Sequence, residues 1–179
     1  RTCGAGSKAQ SFHSFLFFYK YTIISLLFRT TYFYYLCKKI MIVIESKMDL
    51  PFPTNSLKEW VISCLKNKGV ILGKIFINII DKDQMLNINK DFLNHDSHTD
   101  VITFNYSLDN KIEGEIFISE FMLLQNAEKL FQSTDNELLR LISHGLLHLL
   151  GYKDNDKAKK KEMSKEEDFF IKLFHVKPS

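Results

Sequence analysis

From residue 41 onward the spacing of apolar positions changes repeatedly between a strand-like and a helical period, and each change marks an element. Met41-Ile42-Val43-Ile44 is short, apolar and β-branched, and predicts a strand. Pro51 and Pro53 mark a connection. Leu57, Trp60, Val61, Cys64 and Leu65 then recur at helical spacing, with Thr54 or Asn55 as the cap and Asn67-Lys68-Gly69 as the stop. Val70 to Ile80 reads as a strand, because Ile75, Ile77 and Ile79 alternate with Lys74, Phe76 and Asn78 and leave one face more apolar. Asp83 is the expected cap of a helix through Phe92, with Met85, Leu86, Ile88 and Leu93 on its buried side. Asn94 to Asp100 is polar and predicts a loop; Val101 to Tyr106 predicts a strand, Asp109-Asn110 a turn, and Glu115 to Ile118 its hairpin partner. Ser119 opens a helix through Leu130, and Ser133 or Thr134 caps the next, with Glu137 in its first turn. Met163, Phe169, Phe170, Leu173 and Phe174 mark a final amphipathic helix. The fold class that follows is α+β, a small mixed sheet of about four strands packed against helices.

The helix after Ser133 carries the candidate chemistry. Leu138, Leu139, Leu141 and Ile142 make it a buried element, and His144 and His148 stand at i and i+4, so both imidazoles leave one face about one turn apart. That separation lets two side chains reach one metal ion. Gly151 is a natural stop, since a residue in the left-handed region costs glycine nothing, and the chain can then bring Asp154 back over the same face. Two histidines and a carboxylate form a facial three-ligand site with a further position open; Asp156 is close enough in sequence to rival Asp154. Histidines packed in the core or capping the helix are the plain alternative. The spacing matches the long zincin pattern H-E-x-x-H-x-x-G-x-x-H, with Gly145 in place of the general-base Glu and Asp154 in place of the third His. Proteolysis is disfavoured, because nothing at position 145 can take a proton from an attacking water.

His-Gly-Leu-Leu-His-Leu-Leu-Gly-Tyr, residues 144–152, resembles the metal helix of the YbeY family, the bacterial endoribonucleases of rRNA maturation. Two further blocks are similar to that family in the same order. One is Leu86-Asn87 with Asn94-His95-Asp96 and Thr99-Asp100-Val101-Ile102-Thr103-Phe104; the other is Glu113-Gly114-Glu115-Ile116-Phe117-Ile118. The resemblance implies one bound zinc ion, cleavage of single-stranded RNA, notably at the 3′ end of small-subunit rRNA, and work beside the small ribosomal subunit. It also implies departures: Asp154 where the family usually has His, Leu93 where it commonly has Arg, and Glu115 at its Gly-Asp-Ile acid. An anionic third ligand lowers the charge of the site by one, so its acidifying effect on water weakens. Glu115 is then a candidate proton acceptor or ligand-orienting group. Arg140, the only arginine between residues 41 and 179, is a candidate for contacting phosphate from one turn before His144, or else an ion-pairing residue. His95 and His98 lie in the loop as ligands, substrate contacts or plain surface residues.

Residues 1–40 do not read as part of this domain. They hold six Lys/Arg and no Asp or Glu, and are crowded with Phe and Tyr. Lys20 and Arg29 interrupt what would have to be about 20 apolar residues for a membrane helix, and Thr30-Thr31-Tyr32-Phe33 offers no signal-cleavage site. The reading adopted is a non-native extension encoded by AT-rich upstream DNA, with Met41 as the start, over an anchor or targeting segment. Without it the chain carries 18 Lys/Arg against 21 Asp/Glu, a formal −3, which excludes a globally basic nucleic-acid binder. The run Lys157 to Lys161 is then either a solvated face or a local phosphate-contacting patch. Cys64 alone remains, in an apolar pattern; no disulfide framework is implied and a reducing cytoplasm fits. Three functions stay open: a metal-dependent endoribonuclease, a ribosome-assembly factor with a structural metal and little catalysis, and a metal hydrolase on another substrate.

Overall fold

The computed structural model describes residues 41–93 and 97–176; the expectations concerning residues 1–40 and His95 lie outside them. Four strands form one mixed sheet in the order β1-β2-β4-β3. β1 (Met41–Ser46) runs parallel to β2 (Ile71–Ile80), β2 runs parallel to β4 (Lys111–Ser119), and β3 (Val101–Asn105) pairs antiparallel with β4. Five helices complete the domain: α1 (Thr54–Asn67), α2 (Lys82–Leu93), α3 (Glu120–Lys129), α4 (Thr134–Leu149) and α5 (Lys157–His175).

Register divides the sheet into two faces. Ile42 and Ile44 align with Ile75 and Ile77, and these with Gly114 and Ile116, so one face is a continuous apolar surface. Ile75, Ile77 and Ile116 are fully buried there. α1 covers β1 and β2 on that face through Leu57, Trp60, Val61, Cys64 and Leu65, all buried, as the helical period predicts. α4 packs on β3 and β4, and α5 lies against both α4 and α1. Trp60 fixes that last contact: its indole Nε1–H donates to the Phe170 carbonyl at 2.7 Å, and its ring meets Phe174 edge-on at 5.5 Å. The opposite face carries Phe104 and Phe117, with α2 reaching it through Phe92, whose ring is 5.2 Å from that of Phe104.

Two helix starts and one strand start differ from expectation. α1 starts at Thr54 behind Pro53, with no side chain capping it, so neither Thr54 nor Asn55 has that role. α2 starts one residue before Asp83, and the capping oxygen belongs to Asp81, which accepts from the Gln84 amide at 2.9 Å. β4 begins at Lys111, four residues before the predicted strand, because the turn at Asp109 (φ 52°) closes the hairpin directly. Ser119 and Ser133 cap α3 and α4 as read, accepting from the amides of Met122 and Asn136.

Candidate metal centre

α4 reaches the sheet closely because two glycines let it. A Cβ at Gly145 would stand 2.5 Å from Cγ2 of Ile116, and one at Gly114 would collide with Leu149 and with the Phe104 carbonyl. Position 145, where a zincin has its general base, thus faces β4. With that side of α4 buried, His144 and His148 emerge together at its rim, both half-buried, with rings edge-on at 4.5 Å.

The outer nitrogen of each ring is committed. His144 Nδ1 lies 2.7 Å from Oε1 of Glu167 on α5, and His148 Nδ1 lies 3.1 Å from the Tyr152 carbonyl. A carbonyl can only accept, and a carboxylate accepts, so both rings carry their proton on Nδ1. In the neutral rings both Nε2 atoms then present lone pairs to each other at 3.0 Å. Two facing lone pairs at that distance repel unless a cation stands between them, and two imidazoles on a tetrahedral zinc would hold their nitrogens about 3.3 Å apart. A shared proton would satisfy the pair alone; a third donor argues for a metal. After Leu150, Gly151 takes φ 88° and the Tyr152 amide returns to the Leu147 carbonyl at 3.0 Å, which turns the chain back over the helix end. One ligand atom from each of His144, His148 and Asp154 falls within 4.8 Å of the others. Two imidazoles and a carboxylate suit zinc and other first-row divalent ions.

Asp156 does not join them. Its carboxylate caps α5, accepting from the Lys159 amide at 2.8 Å, and that bond holds it below the usual carboxylate range. Arg140 is drawn into carboxylates instead of being free for a phosphate. Its Nε and Nη2 fork onto Glu137 at 2.8 and 2.7 Å, with Asp100 at 3.6 Å and Glu167 at 4.0 Å. The Glu137 hydrogen bonds push the guanidinium further up against the opposing effect of burial. Glu115 is not brought to the imidazoles. It alternates with Gly114 and Ile116, which contact α4, so its side chain leaves the opposite face of the sheet, near Tyr106. His98 is exposed, with its ring 5.8 Å from that of Phe121. Cys64 is buried among apolar side chains, its thiol pushed up to about 12 by that burial, as a small hydrophobe and no nucleophile.

The residues sequence reasoning passed over lie on α5. Glu167 sits between Met163 and Phe170 on the buried stripe, and an acid on an apolar stripe is the signal that would have found it. Its neighbour Glu166 pairs with Lys68 at 2.5 Å, and Lys68 donates to the Tyr152 hydroxyl at 3.2 Å. Burial pulls the Lys68 ammonium down, and these two partners more than offset it, so it ends raised. The net effect ties the loop carrying Asp154 to α1 and α5.

Comparison with known proteins agrees with this architecture. The family described as Endoribonuclease YbeY matches residues 43–175. An Endoribonuclease YbeY of Flavobacterium psychrophilum is 42% identical over 118 residues, covering 66% of this chain and 84% of its own. That of Flavobacterium johnsoniae is 40% identical over 123 residues, covering 69% and 86%. The solution structure of a Thermotoga maritima protein superposes with a TM-score of 0.53 at 26% identity, over 75% of this chain and 89% of that one. The chain belongs to the YbeY family of endoribonucleases.

Proposed function

We propose that residues 41–179 form a single metal-dependent endoribonuclease domain that holds one zinc ion through His144, His148 and Asp154. Its substrate is single-stranded RNA, in maturation of the 3′ end of small-subunit rRNA beside the small ribosomal subunit in the cytoplasm. The observation that carries this reading is the pair of Nε2 atoms 3.0 Å apart, with a carboxylate and a carbonyl as the partners of the two Nδ1 atoms and Asp154 beside them. A divalent ion there supplies Lewis acidity toward a phosphoryl oxygen and activates water at neutral pH. The chain's own part is to hold the ligands in that tautomer, to leave a coordination position open, and to keep position 145 closed to a peptidase-type base. No helix among the described residues is long and apolar enough to cross a membrane.

A second reading has an observation of its own. Arg140 is surrounded by Glu137, Asp100 and Glu167, and Leu93 stands where the family commonly has Arg, so no arginine among the described residues is free for the phosphate. That favours an assembly factor in which the metal is structural. Metal content by mass spectrometry and cleavage of single-stranded RNA, on the full chain and its His144→Ala and Asp154→Ala forms, separate the two. Near-stoichiometric zinc with cleavage, both lost in either variant, supports the nuclease. Stoichiometric zinc without cleavage in the unaltered chain sinks it in favour of the assembly factor. Zinc retained by Asp154→Ala removes Asp154 from the ligand set.

A further inference from the structure

We propose that Glu167 is a positioning residue of the metal centre: from α5 it fixes His144 in the tautomer and orientation that present Nε2 to the metal. The proposal rests on the zinc reading above and adds a residue from an element outside the two-histidine motif. Glu167 comes from a helix 23 residues downstream of His144, and only 8% of its surface is exposed. A buried acid needs a partner, and two are on offer. Arg140 Nη1 is 4.0 Å from one oxygen, while His144 Nδ1 is 2.7 Å from the other. The first distance is beyond a hydrogen bond and the second is a short one, so the histidine is the partner that Glu167 serves. Arg140 in turn is fixed by its fork on Glu137, which is fully buried on the same face of α4.

The two ligand histidines are therefore held differently. His148 donates to a neutral carbonyl, whereas His144 donates to a carboxylate, the stronger acceptor, which holds the proton on Nδ1 and fixes the ring. Left alone, a neutral imidazole places most of its proton on Nε2, the atom that must be bare to bind a metal. Glu167 reverses that preference before any metal arrives. The contact also makes docking of α5 onto α4 part of assembling the site, since His144 loses its partner if the helices separate.

Two readouts test this in the full-length chain. The tautomer of His144 is read by ¹⁵N NMR of the metal-free protein, and Zn²⁺ affinity by competition with a chromogenic chelator. Glu167→Ala and the near-isosteric Glu167→Gln are compared with Asp168→Asn, a change at the exposed neighbour. In the unaltered chain His144 is expected as the Nδ1–H form. In Glu167→Ala it should move toward the Nε2–H form, with Zn²⁺ affinity falling on the order of 10- to 100-fold. Glu167→Gln should lose less than Glu167→Ala, and Asp168→Asn should match the unaltered chain. An unchanged tautomer in Glu167→Ala overturns the proposal, and so does unchanged Zn²⁺ affinity in a protein whose melting curve shows it folded. Should the unaltered chain bind no Zn²⁺, the metal reading fails separately and the tautomer alone decides whether Glu167 positions His144.

Discussion

At the scale of single residues, close approach and backbone sign determine more than chemistry does. Gly145 is where a metal helix of the peptidase kind would show its base, yet the space at that position belongs to Ile116. Gly145→Ala should cost about 1–3 kcal/mol, the usual penalty for forcing extra atoms into a packed contact, measurable by urea unfolding. An unchanged midpoint would mean that α4 can back off the sheet at no cost. Phe131 poses the opposite case. It occupies the left-handed position after α3, with φ 53° and 97% exposure, and its amide closes back on the Glu128 carbonyl at 3.2 Å. A side chain there costs about 1–2 kcal/mol, while glycine loses about 0.5–1 kcal/mol in chain entropy. Phe131→Gly is therefore expected to stabilise the protein by about 0.5–1 kcal/mol in the same unfolding measurement; destabilisation would show that the aromatic ring packs usefully despite its exposure. The group that could hold a metal was legible in the sequence because spacing alone puts His144 and His148 on one face. Glu167 stands out as an acid on an apolar stripe, but no local pattern joins it to His144, 23 residues away.

At the scale of elements, the contact between α4 and α5 is where packing and the site meet. Glu137 is fully buried and takes both fork hydrogen bonds of Arg140. Arg140→Met removes the cation bonded to it and should cost about 3–5 kcal/mol, the typical loss when half of a buried pair is left behind. Glu137→Leu added to Arg140→Met should recover most of that loss, since an apolar pair of similar size avoids the desolvation. Failure to recover would mean the ion pair itself specifies how the helices dock. Periodicity found every helix and strand among the described residues, along with the five buried side chains of α1. It missed the starts of α1 and α2 because a cap depends on which residue's oxygen reaches a given amide. Asp81 and Asp83 are equally good caps on paper, and so are Asp154 and Asp156 as ligands. The structure separates the second pair by giving Asp156 to the Lys159 amide. The folded Asp156 carboxyl is held below its ordinary range, so its contribution is present above that range and lost as pH falls through the depressed folded value. Stability measured against pH should thus decline more gently on the acid side for Asp156→Asn than for the unaltered chain.

At the scale of the whole molecule, a chain of formal +3 carries −3 over residues 41–179, so that domain must bind a polyanion through a limited patch or through the metal itself. Lys157, Lys160 and Lys161 are exposed on the first turns of α5, immediately after the loop that supplies Asp154. Their position is what either a phosphate contact or a solvated helix face would look like; the difference is thermodynamic. Each phosphate neutralised on a single strand contributes about −0.7 to the slope of log affinity against log salt. If all three lysines meet phosphates, changing them to Ala should flatten the slope for single-stranded RNA by about 2 and weaken binding at low salt most. If they only solvate the helix, slope and affinity both stay put. The measurement is an RNA-binding titration over a series of salt concentrations in Zn²⁺-loaded His144-intact protein, where the metal's own contribution is common to both forms and cancels. A flattened slope would place the RNA strand along the start of α5, so that the helix orienting His144 from its buried side would also hold substrate from its exposed one.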